Sequence, residues 1–203
     1  MTYKTHREFG IGWVILGNVA LYELGVTEVN YYLALIVMLA IGRYGALFPD
    51  VDHEWCNVKE KTIVNWFINK SIHLTGGKHR SWQTHSIDIA TVMSCISYIL
   101  PKYLYEIGRM SKVNSEVLSC LAIGFCLGWL SHLFSDMLTS AGVRLFFWSK
   151  KKYSFVPKQL LGIRFNTGNE WENWVYKVSR IVNVILLITG LAYPVIIQYI
   201  GKV

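Results

Sequence analysis

The chain alternates long apolar stretches with short polar ones, and the apolar stretches are long for a soluble protein. Five of them, at about 9–26, 31–49, 86–105, 117–138 and 180–200, approach the roughly 20 residues that a helix needs to cross a hydrocarbon core. Glu23, Arg43, Asp88, and His132 with Asp136 interrupt the first four; the last is uninterrupted. The pattern predicts an all-α fold, a polytopic membrane helix bundle of about five spans forming a single domain over 1–203. The first stretch carries no small-residue cleavage site and follows His6, so it is expected to be a retained helix rather than a leader. In the connection after span two, Ile63, Trp66, Phe67 and Ile68 alternate with Lys61, Asn65 and Lys70, which predicts an amphipathic helix lying in the membrane interface. Thr75-Gly76-Gly77 breaks it. Asn169-Glu170-Trp171-Glu172 reads as a capping box that opens a helix leading into the last span.

Composition agrees with a membrane protein. Apolar residues make up 53% and charged residues only 16%, against about 25% charged in a soluble domain. The net charge of +7 changes the picture only through its distribution. With the N-terminus inside, fifteen cations fall on the inner side and four (Lys102, Arg109, Lys112, Lys202) outside. That bias is the positive-inside pattern for an N-in, C-out chain. It makes the basic excess a topology signal, with anionic headgroups as its partners. Nucleic acid is not expected: the lysine run at 150–152 lacks the interleaved aromatics of a stacking surface. Trp55, Trp66, Trp82, Trp148, Trp171 and Trp174 sit at or near span ends, as in an aromatic belt. Cys56, Cys95, Cys120 and Cys126 show no CxxC spacing and read as small packing residues.

The chemistry lies where polar residues gather at span ends. His6; Asp50, Asp52 and His53; His79 and His85; and His132 with Asp136 form four clusters spread over 130 residues of sequence. Four spans intervene between them, so all four clusters reach one membrane face. Ionisable groups beside lipid are costly and are kept mainly for function, and imidazole with carboxylate is a donor set for a divalent metal. His132 and Asp136 stand i, i+4 on a helix and project from one face, as two ligands or as a ligand and its carboxylate partner; the alternative is a polar pair bonding across the bundle. Asp50 and Asp52 point the same way if the turn after Pro49 is extended; the alternative is a solvated acidic turn. His79, Arg80 and His85 fall in a loop, whose alternative role is a basic interfacial one. His73, with no acidic neighbour, is read as non-functional. Arg43 is expected to pair with Glu23 or Asp88 as a structural ion pair. Ser131, Ser135 and Thr139 are expected to bond helical carbonyls, since no Gly-x-Ser-x-Gly elbow is present. HExxH, P-loop and GxGxxG patterns are absent too.

At these residues the chain resembles the YdjM-type, LexA-regulated inner-membrane proteins, a family expected to be metal-dependent hydrolases. The matching elements are T-H at 5–6, L-F-P-D-V-D-H at 47–53, H-R-S-W-Q-T-H-S at 79–86 and G-W-L-S-H-L-F-S-D-M-L-T-S-A-G-V at 128–143, with T-G-N-E-W-E at 167–172 a looser one. Ser81 stands where a small residue, often Gly, is expected. The resemblance implies a multi-helix protein of a bacterial-type inner membrane that binds divalent metal, distantly similar to zinc-dependent phospholipase C. Carried over residue by residue, it implies His6, Asp50, Asp52, His53, His79, His85, His132 and Asp136 as metal ligands. Eight exceed one tetrahedral site, so one or two ions fit, Zn with Mn or Fe as alternatives.

The function expected is metal-assisted hydrolysis of a phosphoester or lipid headgroup bond at the cytoplasmic face. An ion lowers the pKa of a bound water from about 15.7 to about 7, Asp52 or Asp136 takes the proton, and Arg80, with Arg164 a second candidate, pairs with substrate phosphate. Two other classes compete. A membrane metal-binding or transport protein would use the same ligands without hydrolysis, although transporters place their site near mid-membrane. A nuclease-like enzyme is the other.

Overall fold

The computed structural model describes residues 1–26, 29–53, 62–160 and 163–200. Trp55, Cys56, Lys59, Lys61 and Lys202 of the sequence reading lie outside the described residues. The described chain is helical: α1 (Tyr3–Glu23), α2 (Tyr31–Gly45), a 3-10 helix (Phe48–Asp52), α3 (Ile63–Leu74), a single turn α4 (Trp82–His85), α5 (Ile87–Glu106), α6 (Lys112–Met137) and α7 (Glu170–Ile200). The 139–169 connection adds a two-residue antiparallel pairing of β1 (Gln159–Leu160) with β2 (Ile163–Arg164).

Four helical stretches are long and apolar enough to cross a membrane: Tyr31–Asp52, Ile87–Glu106, Lys112–Met137 and Glu170–Ile200. The first of the five expected spans falls in α1, which is not among them. Its opening turns carry Lys4, His6, Arg7 and Glu8, which dilute the apolar run. In the best apolar windows of α5 and α7 only 11% of residues are buried inside the protein, so the apolar side chains there face outward, as lipid-facing helices require.

Helix α6 is the central post. It packs against α1, α2 and α5, and α1 in turn packs against α2 and α7. The α2–α6 crossing is made by small residues: a Cβ on Gly128 would collide with the carbonyl of Gly42, and one on Gly124 would lie 2.8 Å from Met38 Cα. Without a strong hydrophobic force between helices in lipid, such close backbone approach is what brings them together. Val14, Ala34, Met38 and Cys120 fill the core beside it. At its other contact, α1 is tied to α7: Asn183 donates to the Glu8 carbonyl at 2.8 Å, and Glu172 accepts from Thr5 Oγ1 at 2.9 Å and from the Thr2 amide. Asn169 caps α7 by accepting from the Glu172 amide, and Glu172 reaches back one residue beyond the cap, to the Gly168 amide at 2.6 Å, a variant of the expected capping box.

Helix α3 is turned inside out relative to a soluble helix. Asn65 and Asn69 face the protein, bonded to Tyr44 Oη and to the Val51 carbonyl, while Trp66 and Phe67 are 50% and 59% exposed. That is the geometry expected of a helix whose apolar face enters the interface. Thr75 and Gly76, with φ of +76°, end it. Arg43, by contrast, is exposed and pairs with neither Glu23 nor Asp88 among the described residues. Asp88 instead accepts from the amides of Ile89 and Phe147, pinning the 144–148 segment to the start of α5. Cys95, Cys120 and Cys126 are free thiols.

Candidate metal centre

The four sequence clusters meet where α1 and the 3-10 helix converge on α4 and the end of α6. Clamped by the Thr5–Glu172 bond, the first turns of α1 present His6. The α2–α6 crossing brings the Ala46 carbonyl to within 2.8 Å of His132 Nδ1. Trp129 donates its indole N–H to the Thr84 carbonyl at 2.7 Å, which fixes α4 and with it His85.

Each of three imidazoles is held from behind. The Ala46 carbonyl can only accept, so His132 Nδ1 carries the proton and Nε2 presents a lone pair. Ser135 Oγ spends its single proton on the His132 carbonyl at 2.9 Å and therefore accepts from His6 Nδ1 at 2.6 Å. Thr84 Oγ1 gives its proton to Asp52 Oδ2 at 2.6 Å and therefore accepts from His85 Nδ1 at 2.9 Å, with Asp52 Oδ2 itself 3.3 Å from that nitrogen. All three Nε2 atoms thus point inward.

There they face each other and two carboxylates. His132 Nε2 lies 3.3 Å from His85 Nε2, 3.7 Å from Asp50 Oδ1 and 3.7 Å from Asp136 Oδ2. His85 Nε2 is 3.8 Å from Asp136 Oδ2, and His6 Nε2 is 3.6 Å from Asp136 Oδ1 and 4.0 Å from Asp50 Oδ2. Asp136 Oδ2 is buried and has no hydrogen-bond partner. Asp136 Oδ1 has cationic donors, but the Nε2 lone pairs converging on the unpartnered Oδ2 repel it and one another unless a cation sits among them. Ligand atoms about 2.0–2.1 Å from a tetrahedral zinc are roughly 3.3–3.4 Å apart; the pairs here run from 3.3 to 4.0 Å, so the ring would draw in slightly around an ion. Two overlapping groups can hold an ion, His6 with His132 and Asp136, and Asp50 with His85 and His132.

The other sequence candidates lie around this ring. Asp52 is wholly buried, and both its oxygens are taken: Oδ1 by His79 Nδ1 at 3.0 Å, Oδ2 by Thr84 Oγ1 at 2.6 Å and the Arg80 amide at 3.1 Å, besides His85. Asp50 and Asp52 therefore do not point the same way. A 3-10 helix turns about 120° per residue, which sends Asp50 into the ring and Asp52 behind it. His79 and His53 stack edge to face at 4.5 Å on the outer side. Arg80 donates from Nη2 to Asp136 Oδ1 and from Nη1 to the Gly142 carbonyl, at 3.0 and 3.1 Å. Its φ of +61° is the one left-handed backbone among described residues other than glycine, a cost of about 1–3 kcal/mol that the bonds to Asp52 and Asp136 offset. The Met1 amino nitrogen also reaches Asp136 Oδ1, at 2.6 Å. Asp50 and Arg80, 17% and 14% exposed, form the open side; the three inward histidines and Asp136 are sealed.

Sequence reasoning missed Thr84, Ser135 and the Ala46 carbonyl as supports. Ser131, Ser135 and Thr139 do bond helical carbonyls as expected; only the adjacency of Ser135 to His6 gives it a second task, and no local signal encodes that.

The profile of the YdjM inner membrane protein family matches residues 1–201, extending past the T-G-N-E-W-E segment to the end of α7. Searches of curated proteins and of solved structures found no match. Length of match, apolar helices and shared motifs agree, and the chain belongs to the YdjM inner membrane protein family.

Proposed function

We propose that this protein is a membrane-bound, metal-dependent hydrolase acting on a phosphoester or lipid headgroup bond at the cytoplasmic face. The observation that carries the reading is the ring of three Nε2 lone pairs and two carboxylates, with Asp136 Oδ2 buried and unpartnered. A divalent ion held there, Zn or its Mn and Fe alternatives, would supply a water acidified from a pKa of about 15.7 to about 7 and a Lewis acid for the substrate oxygen.

The chain's own residues have separable tasks. His6, His85, His132 and Asp136 would hold the ion, and Asp50, the more exposed of the two carboxylates, would stand at the open side as the proton acceptor. Asp52 is a positioning residue that fixes His85, as a carboxylate behind a ligating histidine does. Arg80 bridges Asp136 to the mouth, where a guanidinium matches a phosphoryl group by its fork of donors. The site lies at the ends of α1 and α6, which suits a headgroup and not the mid-membrane site of a transporter.

Metal content and phosphoester turnover of detergent-purified protein test this. Wild type is expected to hold stoichiometric Zn or Mn and to turn over a phosphoester. His132→Ala and His85→Ala should lose both while keeping their helical circular dichroism. Metal retained by the two variants would sink the site; metal bound without turnover across phosphoester substrates would favour a metal-binding protein.

A further inference from the structure

Beside the metal centre lies a second cavity of ≈ 410 Å³ that shares His79 and Arg80 with its mouth. Its charged lining is entirely cationic: Lys78, Arg80, Arg144, Lys150 and Lys152, with no carboxylate. Arg144 is spent on structure, donating to the carbonyls of Phe146, Phe147 and Ser149. It thereby shapes the turn that carries Lys150 and Lys152. Those two lysines and Lys78 are exposed and have no carboxylate partner among the described residues. Arg80 is held rigidly between Asp136 and the Gly142 carbonyl. A cluster of like charges costs self-repulsion, and a low-dielectric pocket focuses its field on an anion.

We propose that this cavity is a phosphate-binding subsite, so that the substrate class is one carrying a phosphate beside the bond attacked at the metal centre, as in a diphosphate or a phosphorylated headgroup. The lysines supply mobile point charges, and Arg80 stands at the boundary between the subsite and the ring. Trp82 in its wall meets the exposed Phe147 at 6.2 Å, and Trp148, also exposed, follows it. Such aromatics sit at headgroup depth, so a phosphate carried by a lipid reaches the cavity without leaving the membrane surface. The binding of phosphate stands on this geometry alone; only its place beside a scissile bond rests on the hydrolase reading.

The test is calorimetric titration of the full chain in detergent with inorganic pyrophosphate, after metal has been removed by dialysis, so that loss of the metal reading would leave it intact. Wild type should bind. Lys150→Gln should weaken binding roughly tenfold, the loss of one charge-assisted hydrogen bond, and adding Lys152→Gln should weaken it again. Lys151→Gln, just outside the cavity and over the Tyr153 ring, should change nothing. Competition by phosphatidylcholine vesicles containing phosphatidic acid, and not by phosphatidylcholine alone, would support the subsite with lipid as the phosphate source. Pyrophosphate binding without that competition would support it with a soluble ester as the source. No binding by wild type, or equal weakening by Lys151→Gln and Lys150→Gln, would overturn the proposal.

Discussion

Replacing Asp52 by Asn separates a positioning carboxylate from a ligand or a base. The carboxylate receives His79 at 3.0 Å, Thr84 at 2.6 Å, the Arg80 amide at 3.1 Å and His85 at 3.3 Å. Asn keeps the volume and one accepting oxygen but turns the other side into a donor and removes the charge. Thr84 and the Arg80 amide hold the remaining oxygen at the Oδ2 position, so His79 loses its acceptor and His85, bonded to Thr84 beside that oxygen, loses the negative charge behind it. Loss of such an outer partner costs roughly 10–100-fold in metal affinity, which is about 1.4–2.7 kcal/mol. Competition against a chelating dye in detergent measures the affinity, and turnover is followed as ion concentration rises. Asp52→Asn should need more ion but recover most of its activity when saturated. Unchanged affinity would refute the positioning role. Activity that stays abolished at saturating ion would make Asp52 the base, the task first considered for it with Asp136.

Two further outcomes follow from the helix arrangement. Gly128→Ala should lower the thermal midpoint and the metal affinity together, although Gly128 touches no ligand. The added methyl meets the Gly42 carbonyl and the Ala46 amide, costs about 1–3 kcal/mol of overpacking and drives apart the helices that bring the Ala46 carbonyl to His132; unchanged affinity in a destabilised variant would break that link. A Trp66→Cys variant carrying an environment-sensitive dye, in a background cleared of the native cysteines, should emit as in an apolar medium and be quenched by brominated lipid in nanodiscs. Burying each aromatic of α3 in the interface contributes about 1.5–3 kcal/mol, and water-like emission insensitive to the lipid would refute its placement.

What was legible in the sequence is what periodicity and polarity encode locally. The apolar runs mark four helices of membrane length, and the Thr75-Gly76-Gly77 break and the Asn169 cap fall where the residues put them. The gathering of His6, Asp50, His85, His132 and Asp136 was legible as well, because helices that alternate in direction bring clusters at their ends to one end of the bundle. The division of labour among them was not. It turns on the 3-10 helix after Leu47, whose pitch parts Asp50 from Asp52, and on contacts such as His6 with Ser135 that separate 129 residues. The expected Arg43 ion pair failed for a related reason: a charge in an apolar run suggests a partner but not the depth at which the helix ends. Arg43 lies in the last turn of α2 on its exposed side, where a cation favours the helix C-terminus without any carboxylate.

The placement of the ring has a consequence for how the fold holds together. Its five donors come from three membrane-side elements, α1, α6 and the 3-10 extension of α2, and from the short α4, which packs on α5 and on that extension. Helices α1, α2 and α6 already meet through glycine and small side chains, and the 3-10 helix is anchored by Phe48 against Phe125 and Trp129, whereas the four-residue α4 is held chiefly by polar bonds, from Trp129 to the Thr84 carbonyl and from Thr84 to Asp52. An ion drawing His85 towards His132 would therefore stabilise α4 more than the bundle beneath it. Metal binding would then order the mouth of the site, where His79 and Arg80 stand, while leaving the apolar helices as they are.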